Sequence, residues 1–269
     1  MGVKTPREVI EASLAVAERK VALSNGKFKH LLVLSILAGA YIALGGVLSL
    51  IVGYGFPGIT AENPSLQRLL SGCMFPIGLI LVVVLGAELF TGNNALLIPA
   101  CMSRRISLSD GVKNWALVYI GNFIGAIAIA YLLVYSCGLT TSDPYHSAIR
   151  GIAEAKVSMP WLTVMLKGIG ANWCVCLAVW LAMSGTNLIG KMAGCWLPVM
   201  AFVALGYEHS IANMFFIPTG MLEGANVTPW QMICDNLIPA TIGNIIGGAL
   251  FVGCAYGYIN LSKEDKLSK

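Results

Sequence analysis

One motif occurs twice in this chain, and each copy interrupts a long apolar stretch. The first copy spans residues 86–93 and reads GAELFTGN; the second spans residues 206–213 and reads GYEHSIAN. Each copy places a glutamate, Glu88 or Glu208, in apolar surroundings, and each is closed by an Ile-Pro pair. Ionisable groups are costly inside a bilayer and mark a polar path or site there. The repeated motif therefore predicts a membrane protein through which something polar moves.

The composition agrees with a membrane protein. Hydrophobic residues make up 57% of the 269 residues and charged residues only 11%, which is too little polar surface for a soluble globule of this size. The net charge of +4 comes from basic residues between the apolar stretches, so nothing favours nucleic-acid binding. The eight cysteines lie mostly within or at the ends of these stretches, which predicts small core residues and not disulfides or metal ligands.

Six stretches are apolar enough to cross a bilayer, which takes about twenty residues. They span residues 31–54, 66–101, 111–137, 161–183, 190–221 and 231–259. The second and the fifth are too long for one simple crossing, and each contains one copy of the motif. Each is therefore predicted to be a broken helix, with the breaks near residues 89–92 and 204–207.

The repetition extends beyond the broken helices. Asn114 precedes a Gly-Asn-x-x-Gly run at residues 121–125, and Asn236 precedes the same pattern at residues 243–247. Each copy has three segments, and because three is odd, the second copy enters the bilayer from the opposite side. The predicted fold is an all-α membrane protein: a bundle of six transmembrane helices with an inverted 3+3 repeat and two broken helices.

The distribution of basic residues predicts the orientation. Thirteen lysines and arginines fall on the side that carries both termini and four on the other, which places both termini in the cytoplasm. The predicted parts are a cytoplasmic amphipathic helix on the membrane (1–30), the first three-helix repeat (31–137), an extracytoplasmic connector (138–160), the second repeat (161–260) and a cytoplasmic tail (261–269).

The two breaks are candidate pore walls, because unwound backbone at membrane depth must be buried in protein or line a cavity. We interpret Glu88 and Glu208 as braces that accept hydrogen bonds from the freed backbone amides of their own loops. Asn93 and Asn213 are interpreted as caps on the second half-helices, whose first amides would otherwise lack partners.

His209 lies at the second break, in an apolar stretch. A neutral imidazole there can donate a hydrogen bond to an anion or pass it a proton. Thr91, at the first break, is the candidate for a facing hydroxyl. No nucleophile with a base, phosphate-binding glycine loop or metal-ligand spacing accompanies them, so we expect no enzyme activity, no cofactor and no metal.

Three runs resemble the signatures of the formate/nitrite transporter family: residues 86–93, residues 172–180 (NWCVCLAVW) and residues 206–214. The resemblance implies an aquaporin-like fold, a bacterial-type cytoplasmic membrane and a homopentamer with one pore per subunit. It makes His209 and Thr91 the central polar pair and places Lys156 in the outer vestibule and Asn172 in the pore. A second vestibule lysine matches either Lys20 or Lys27. The implied constrictions are Leu89, Phe90, Val175 and His209 on the cytoplasmic side and Phe75, Leu79 and Phe202 on the periplasmic side.

Formate is the leading substrate, because the runs at residues 213–218 and 236–248 look like those of formate channels. Nitrite, hydrosulfide and other short carboxylates remain alternatives within the same family. A neutral-solute pore of the aquaporin type would show paired Asn-Pro-Ala motifs and a selectivity arginine, which the sequence lacks. A membrane sensor or scaffold would need a soluble signalling domain, for which the tails are too short.

Overall fold

The computed structural model of the chain describes residues 2–261, and all the regular elements within that range are helices. One isolated β-bridge joins Val3 to Gly185. Of the predicted tail at residues 261–269, only Leu261 falls within the described residues. The main helices are α1 (Pro6–Gly26), α2 (Phe28–Tyr54), α3 (Pro64–Leu85), α4 (Phe90–Leu96), α5 (Leu108–Tyr135), α6 (Tyr145–Ser158), α7 (Trp161–Ser184), α8 (Leu188–Ala204), α9 (Ser210–Leu222) and α10 (Pro229–Asn260).

Short pieces complete the helical path. Pro57–Thr60 forms a single turn before α3, and Ile98–Met102 continues the direction of α4 after a bend at Leu97. The end of α5 and two parts of α10 widen into π-helix, over Ile129–Tyr135, Met232–Leu237 and Ile246–Cys254.

Five helices, α2, α3, α5, α7 and α10, are long and apolar enough to cross a bilayer by length and composition. Helices α8 and α9 are shorter apolar helices, and together they occupy the fifth predicted segment. The all-α fold with two broken helices is thereby confirmed: α3 stops and α4 begins after a gap, and α8 and α9 are related in the same way.

The first break lies upstream of its predicted place. It occupies residues 86–89, between α3 and α4, and residues 90–92 are already helical. Gly86 causes the difference, since it ends α3 in the left-handed conformation at φ 74°. Gly206 takes the same conformation, at φ 69°, in the second break, where α8 ends at Ala204 and α9 begins at Ser210. A left-handed glycine thus turns the chain in both breaks.

The two halves pack in the same manner, with α2 along α5 in the first half and α7 along α10 in the second. The Gly-Asn-x-x-Gly runs allow this close approach. A Cβ on Gly125 would overlap the backbone carbonyl of Ile36, and a Cβ on Gly247 would overlap that of Ile169. The repeated glycines therefore bring the transmembrane helices of each half close enough for side chains of one helix to reach the backbone of the other.

Helix α1 begins with the capping box of Thr5 and Glu8. The apolar face of α1 was predicted to lie on the membrane, but in the structure it packs against other helices. Ile10, Leu14 and Ala17 are at most 1% exposed, because they pack against α5, α7 and the short Ile98–Met102 helix. The packed helix bundle leaves a groove that this face fills, so its apolar surface is removed from water without lipid.

The segment before α1 is tied to the turn that joins α7 to α8. The backbone amide of Lys4 donates to the carbonyl of Ser184 at 3.0 Å. The hydroxyl of Thr186 donates to the carbonyl of Gly2 at 2.9 Å. Together with the bridge from residue 3 to residue 185, these bonds hold the start of the chain against the second half of the protein.

Candidate functional site

Glu88, in the first break, forms a buried ion pair with Lys20 of α1. The Nζ atom of Lys20 donates to Glu88 Oε2 at 2.7 Å, and the two side chains are 7% and 1% exposed. Asn93 Nδ2 donates to the same carboxylate oxygen at 3.0 Å and to Asn114 Oδ1 at 2.9 Å. Asn114 in turn donates to the Lys20 carbonyl and to Ser24. This network joins α1, the first break, α4 and α5.

The second break repeats this network with the same residue types. Lys156 of α6 donates to Glu208 Oε1 at 2.8 Å. Asn213 Nδ2 donates to Glu208 Oε2 at 2.6 Å and to Asn236 Oδ1 at 2.7 Å. Asn236 donates to the Lys156 carbonyl and to Glu208. Lys20, and not Lys27, thus holds the place in the first half that Lys156 holds in the second.

The structure corrects the contacts predicted for Glu88 and Glu208. Glu88 accepts hydrogen bonds from one lysine and one asparagine, Glu208 accepts from one lysine and two asparagines, and neither accepts from the backbone amides of its own loop. They act as braces between elements, which compensates a buried charge with an opposite charge and several donors.

The capping roles predicted for Asn93 and Asn213 are also wrong. The N-cap of α4 is Leu89, without a side-chain cap, and the N-cap of α9 is His209, whose own side chain is the cap. Each asparagine lies four residues past its N-cap. Side chains in a helix lean back toward its N-terminus, so these two reach the preceding glutamate and not the first amides.

Two further asparagines hold the backbone of the breaks. Asn122 Nδ2 donates to the carbonyl of Glu88 at 2.9 Å and to that of Ser35 at 2.7 Å, and its Oδ1 accepts from the amide of Phe90 at 2.9 Å. Sequence reasoning used Asn122 only as a marker of the repeat. The available signal was the recurrence of a fully polar side chain in an apolar segment beside a glycine that permits close packing.

Asn244 makes the equivalent contacts in the second half. Its Nδ2 donates to the carbonyl of Glu208 at 2.9 Å and to that of Gly168 at 2.8 Å. Its Oδ1 accepts from the amide of Ser210 at 2.8 Å. At the two breaks, the Phe90 and Ser210 amides are therefore satisfied by side chains from α5 and α10. The Glu88 and Glu208 amides are satisfied by the backbone carbonyls of Leu34 and Lys167.

The structure brings the predicted central pair, His209 and Thr91, into contact. His209 is 2% exposed, and its Nδ1 accepts from the backbone amide of Ala212 at 3.1 Å. A neutral imidazole has one N–H, so the proton lies on Nε2. Nε2 is 3.0 Å from Thr91 Oγ1 and donates to it. The one imidazole proton thus faces the opposite half of the protein.

Asn172 lies behind the pore wall and not within a cavity. It is completely buried, and its Nδ2 contacts the carbonyl of Thr91 at 3.1 Å, the carbonyl of Asn244 at 2.6 Å and Asn94 Oδ1 at 3.1 Å. Asn172 therefore connects the two halves at the level of Thr91. Its sequence position on α7 showed no sign of this role, because all three partners are far away along the chain.

Two cavities approach the central pair. The larger, of about 420 Å³, is lined on one side by the α6 residue Lys156 and on the other by His209. The smaller, of about 160 Å³, is lined by Lys20 of α1 and by residues of the first break. Thr91 lines neither cavity, but it contacts His209 of the larger cavity and is followed along the chain by Gly92 of the smaller one.

Three aromatic rings contact one another in the wall of the larger cavity. Phe75 and Phe202 pack edge to face with ring centroids 5.7 Å apart, and Phe202 stacks on the His209 ring at 5.8 Å. His209 thus adjoins the residues predicted for the periplasmic constriction, although it was assigned to the cytoplasmic one. The difference follows from its place at the N-cap of α9, next to Glu208, which pairs with Lys156 of α6.

The other residues predicted to form the two constrictions do not lie where they were predicted. Leu79 was expected with the phenylalanines but lines the smaller cavity beside Leu89. Phe90 and Val175 are buried and line neither cavity. Phe90 is the first residue of α4, and it packs against Tyr119 of α5 with ring centroids 4.9 Å apart. Its side chain therefore points toward α5 and not into either cavity.

Positive charge predominates in both cavities. The larger contains Arg68, Lys156 and Lys167 with Glu208 as its acidic residue, and Glu208 pairs with Lys156. The uncompensated charges are therefore those of Arg68 and Lys167. Arg19 and Lys20 line the smaller cavity, and because Lys20 pairs with Glu88, the uncompensated charge there among the described residues is that of Arg19. Such cavities concentrate small anions. Within residues 2–261, no group of three or more His, Cys, Asp or Glu side chains is placed to hold a metal ion.

Comparison with known proteins gives a consistent result. The family model described as formate/nitrite transporter matches residues 7–258. A probable formate transporter of Methanothermobacter thermautotrophicus is 42% identical over 275 aligned residues, covering 97% of this chain and 98% of the relative. A solved FNT family ion channel superposes with a TM-score of 0.85 at 32% identity over 94% of this chain and 98% of its own. A pentameric formate channel with formate bound gives 0.77 at 33% identity, over 87% and 98%.

Proposed function

Because the chain belongs to the formate/nitrite transporter family, we propose that this multi-pass membrane protein conducts formate as a homopentamer with one pore per subunit. The observation that carries the proposal is the buried contact of His209 Nε2 with Thr91 Oγ1 between two positively charged cavities. The named relative and the formate-bound pentamer support formate over nitrite and hydrosulfide, which remain the alternatives.

The passage between the cavities is apolar on both sides of the central pair. Leu79 and Leu89 line one side, and Phe75 and Phe202 line the other. A hydrated ion does not pass such rings without losing water, and an unpaired charge in an apolar site costs several kcal/mol. We propose that His209 and Thr91 offset this cost by donating hydrogen bonds to formate, or that His209 first takes up a second proton from solution, passes one proton to formate and returns to the neutral form.

Flux measurements in proteoliposomes test this function. We expect formate to cross far faster than in protein-free vesicles, with nitrite and hydrosulfide slower and acetate slower still because of its size. Electrical current recorded at the same time separates the two modes, since proton-coupled passage carries no net charge. Rapid glycerol or water flux with no anion flux would instead support the neutral-solute pore.

We propose that the membrane is a bacterial-type cytoplasmic membrane with both termini in the cytoplasm. The support is the excess of basic residues on that side, although Lys263, Lys266 and Lys269 of the tail lie outside the described residues. An impermeant thiol reagent applied to sealed right-side-out vesicles is expected to label the exposed Cys137 in a Cys101→Ser background and to leave a Lys27→Cys/Cys137→Ser variant of that background unlabelled. The reverse labelling pattern would overturn this orientation.

We further propose that Lys156 attracts the anion through the field of the larger cavity. A Lys156→Gln variant leaves Glu208 uncompensated, so formate uptake at low concentration is expected to slow roughly tenfold and to become less sensitive to ionic strength. The double variant Lys156→Gln/Glu208→Gln restores the net charge of the cavity, and we expect it to recover the salt sensitivity. Unchanged uptake by the single variant across a salt series would show that the charge of Lys156 does not contribute to attracting the anion.

A further inference from the structure

At each break, one asparagine binds the backbone on both sides of a single residue. Asn244 binds the Glu208 carbonyl and the Ser210 amide, which flank His209. Asn122 binds the Glu88 carbonyl and the Phe90 amide in the same way. Both asparagines are completely buried, so water does not replace these contacts. Each arrangement is an asparagine clamp: a side-chain amide that closes a ring over one backbone position.

The position enclosed by each clamp has the same conformation in the two halves. His209 has φ −104° and ψ 114°, and Leu89 has φ −107° and ψ 124°. Each clamp is also anchored outside its break, through the Gly168 carbonyl of α7 for Asn244 and the Ser35 carbonyl of α2 for Asn122. The clamps therefore fix the enclosed residue relative to the transmembrane helices and not merely within its own loop.

The side chains enclosed by the two clamps differ in chemistry. Leu89 lines the smaller cavity with a purely apolar side chain, which needs no particular rotation about its own axis to exclude water. The His209 ring must present Nδ1 to the Ala212 amide and the proton on Nε2 to Thr91, which requires one tautomer and one ring orientation. The extended backbone that the Asn244 clamp maintains is what aims the ring in this way.

We propose that Asn244 is a positioning residue that selects the Nε2–H tautomer of His209, acting through the backbone on both sides of it. The inference rests on the proposed function only in so far as His209 serves formate passage, because the tautomer itself is a property of the protein. Asn122 is the counterpart for the apolar side of the pore and has no influence on the imidazole. The two sides of the passage are thus set by separate clamps.

The matched variants Asn244→Ser and Asn122→Ser test this proposal, since each removes one clamp with the same change in side chain. Solid-state NMR of protein labelled with ¹⁵N-histidine reports the tautomer directly. The background carries His30→Gln and His146→Gln and no histidine tag, so that His209 gives the one imidazole signal. We expect the wild-type ring and the Asn122→Ser ring to show an unprotonated Nδ1 and a protonated Nε2, and Asn244→Ser to show both tautomers.

Formate flux is measured on the same samples. Asn244→Ser is expected to lose at least tenfold in flux per folded pentamer. Asn244→Gln, which keeps an uncharged donor and acceptor on a longer side chain, is expected to give an intermediate tautomer mixture and serves if the serine variant does not fold. A single Nε2–H tautomer in every folded Asn244 variant would overturn the positioning role. Altered tautomers with unchanged flux would leave it standing and contradict the function proposed for His209.

Discussion

Formate flux through a His209→Phe variant is expected to fall to the level of protein-free vesicles. Phenylalanine fills the site with an apolar ring of similar shape but offers no donor, and charge-assisted hydrogen bonds are worth about 1.5–3 kcal/mol each. Because about 1.4 kcal/mol corresponds to tenfold, the loss of one such bond together with the cost of a dehydrated anion predicts a decrease of roughly a hundredfold or more. Initial rates in proteoliposomes, normalised to folded pentamer, measure it.

His209→Asn separates hydrogen bonding from proton transfer. An asparagine amide still donates to an anion but does not exchange a proton, so this variant is expected to keep measurable flux and lose the increase with acidity. The ionisable groups near the pair include the Lys156–Glu208 ion pair and the Cys176 thiol, which contacts the Thr91 carbonyl, and the cavity beside His209 also contains Arg68, Lys167 and Tyr207. The His209→Asn variant keeps these groups, so a loss of pH dependence in it is attributable to the imidazole. Wild-type flux and pH response in both variants would reduce His209 to a packing residue.

The second large effect is expected from the buried Lys20–Glu88 pair. Lys20→Met leaves Glu88 buried among asparagines without its cation, and removing one partner of a buried pair typically costs about 3–5 kcal/mol. We therefore expect a marked fall in the denaturant concentration that unfolds the solubilised protein. In the double variant Lys20→Met/Glu88→Gln, a neutral amide replaces the orphaned carboxylate and most of the stability returns.

Lys27→Met, an exposed lysine one residue beyond α1, is the matched control and is expected to change stability little. The equivalent substitution Lys156→Met is expected to cost less than Lys20→Met, because the Lys156 side chain is 16% exposed. If Lys20→Met were as stable as the wild type, or the double variant as unstable as the single one, the charge pair would not be what stabilises the first break.

The parts of the fold that sequence reasoning located are those that local pattern encodes. The third segment was expected at residues 111–137 and is Leu108–Tyr135, because an apolar stretch of spanning length is a local property. The first break was misplaced because Thr91 and Gly92 resemble a loop. The left-handed Gly86 decides where α3 ends, and the repeated glycine at position 206 was the available clue.

The site was only partly predictable for a related physical reason. An imidazole in an apolar stretch is conspicuous, and so His209 was found. The other contacts around the two breaks were harder to assign, because the partners are far apart along the chain. Lys20 contacts Glu88 across 68 residues, and Asn172 contacts Thr91 across 81. Pairings of this kind are set by how helices pack, and the hydrogen-bonding capacity of an asparagine gives no indication of which backbone group it will satisfy.

The lysines that neutralise the two glutamates come from different parts of the chain, and this has a practical consequence for handling the protein. Lys156 belongs to the interior of the chain, whereas Lys20 lies on α1, whose start is bonded to the turn near residue 185. A deletion or bulky fusion that pulls α1 away would strip the smaller cavity of both its cations, Arg19 and Lys20, and leave the Glu88 carboxylate without its cation. Such a preparation would repel the anions used to assay it. Its apparent inactivity would then result from the altered amino terminus.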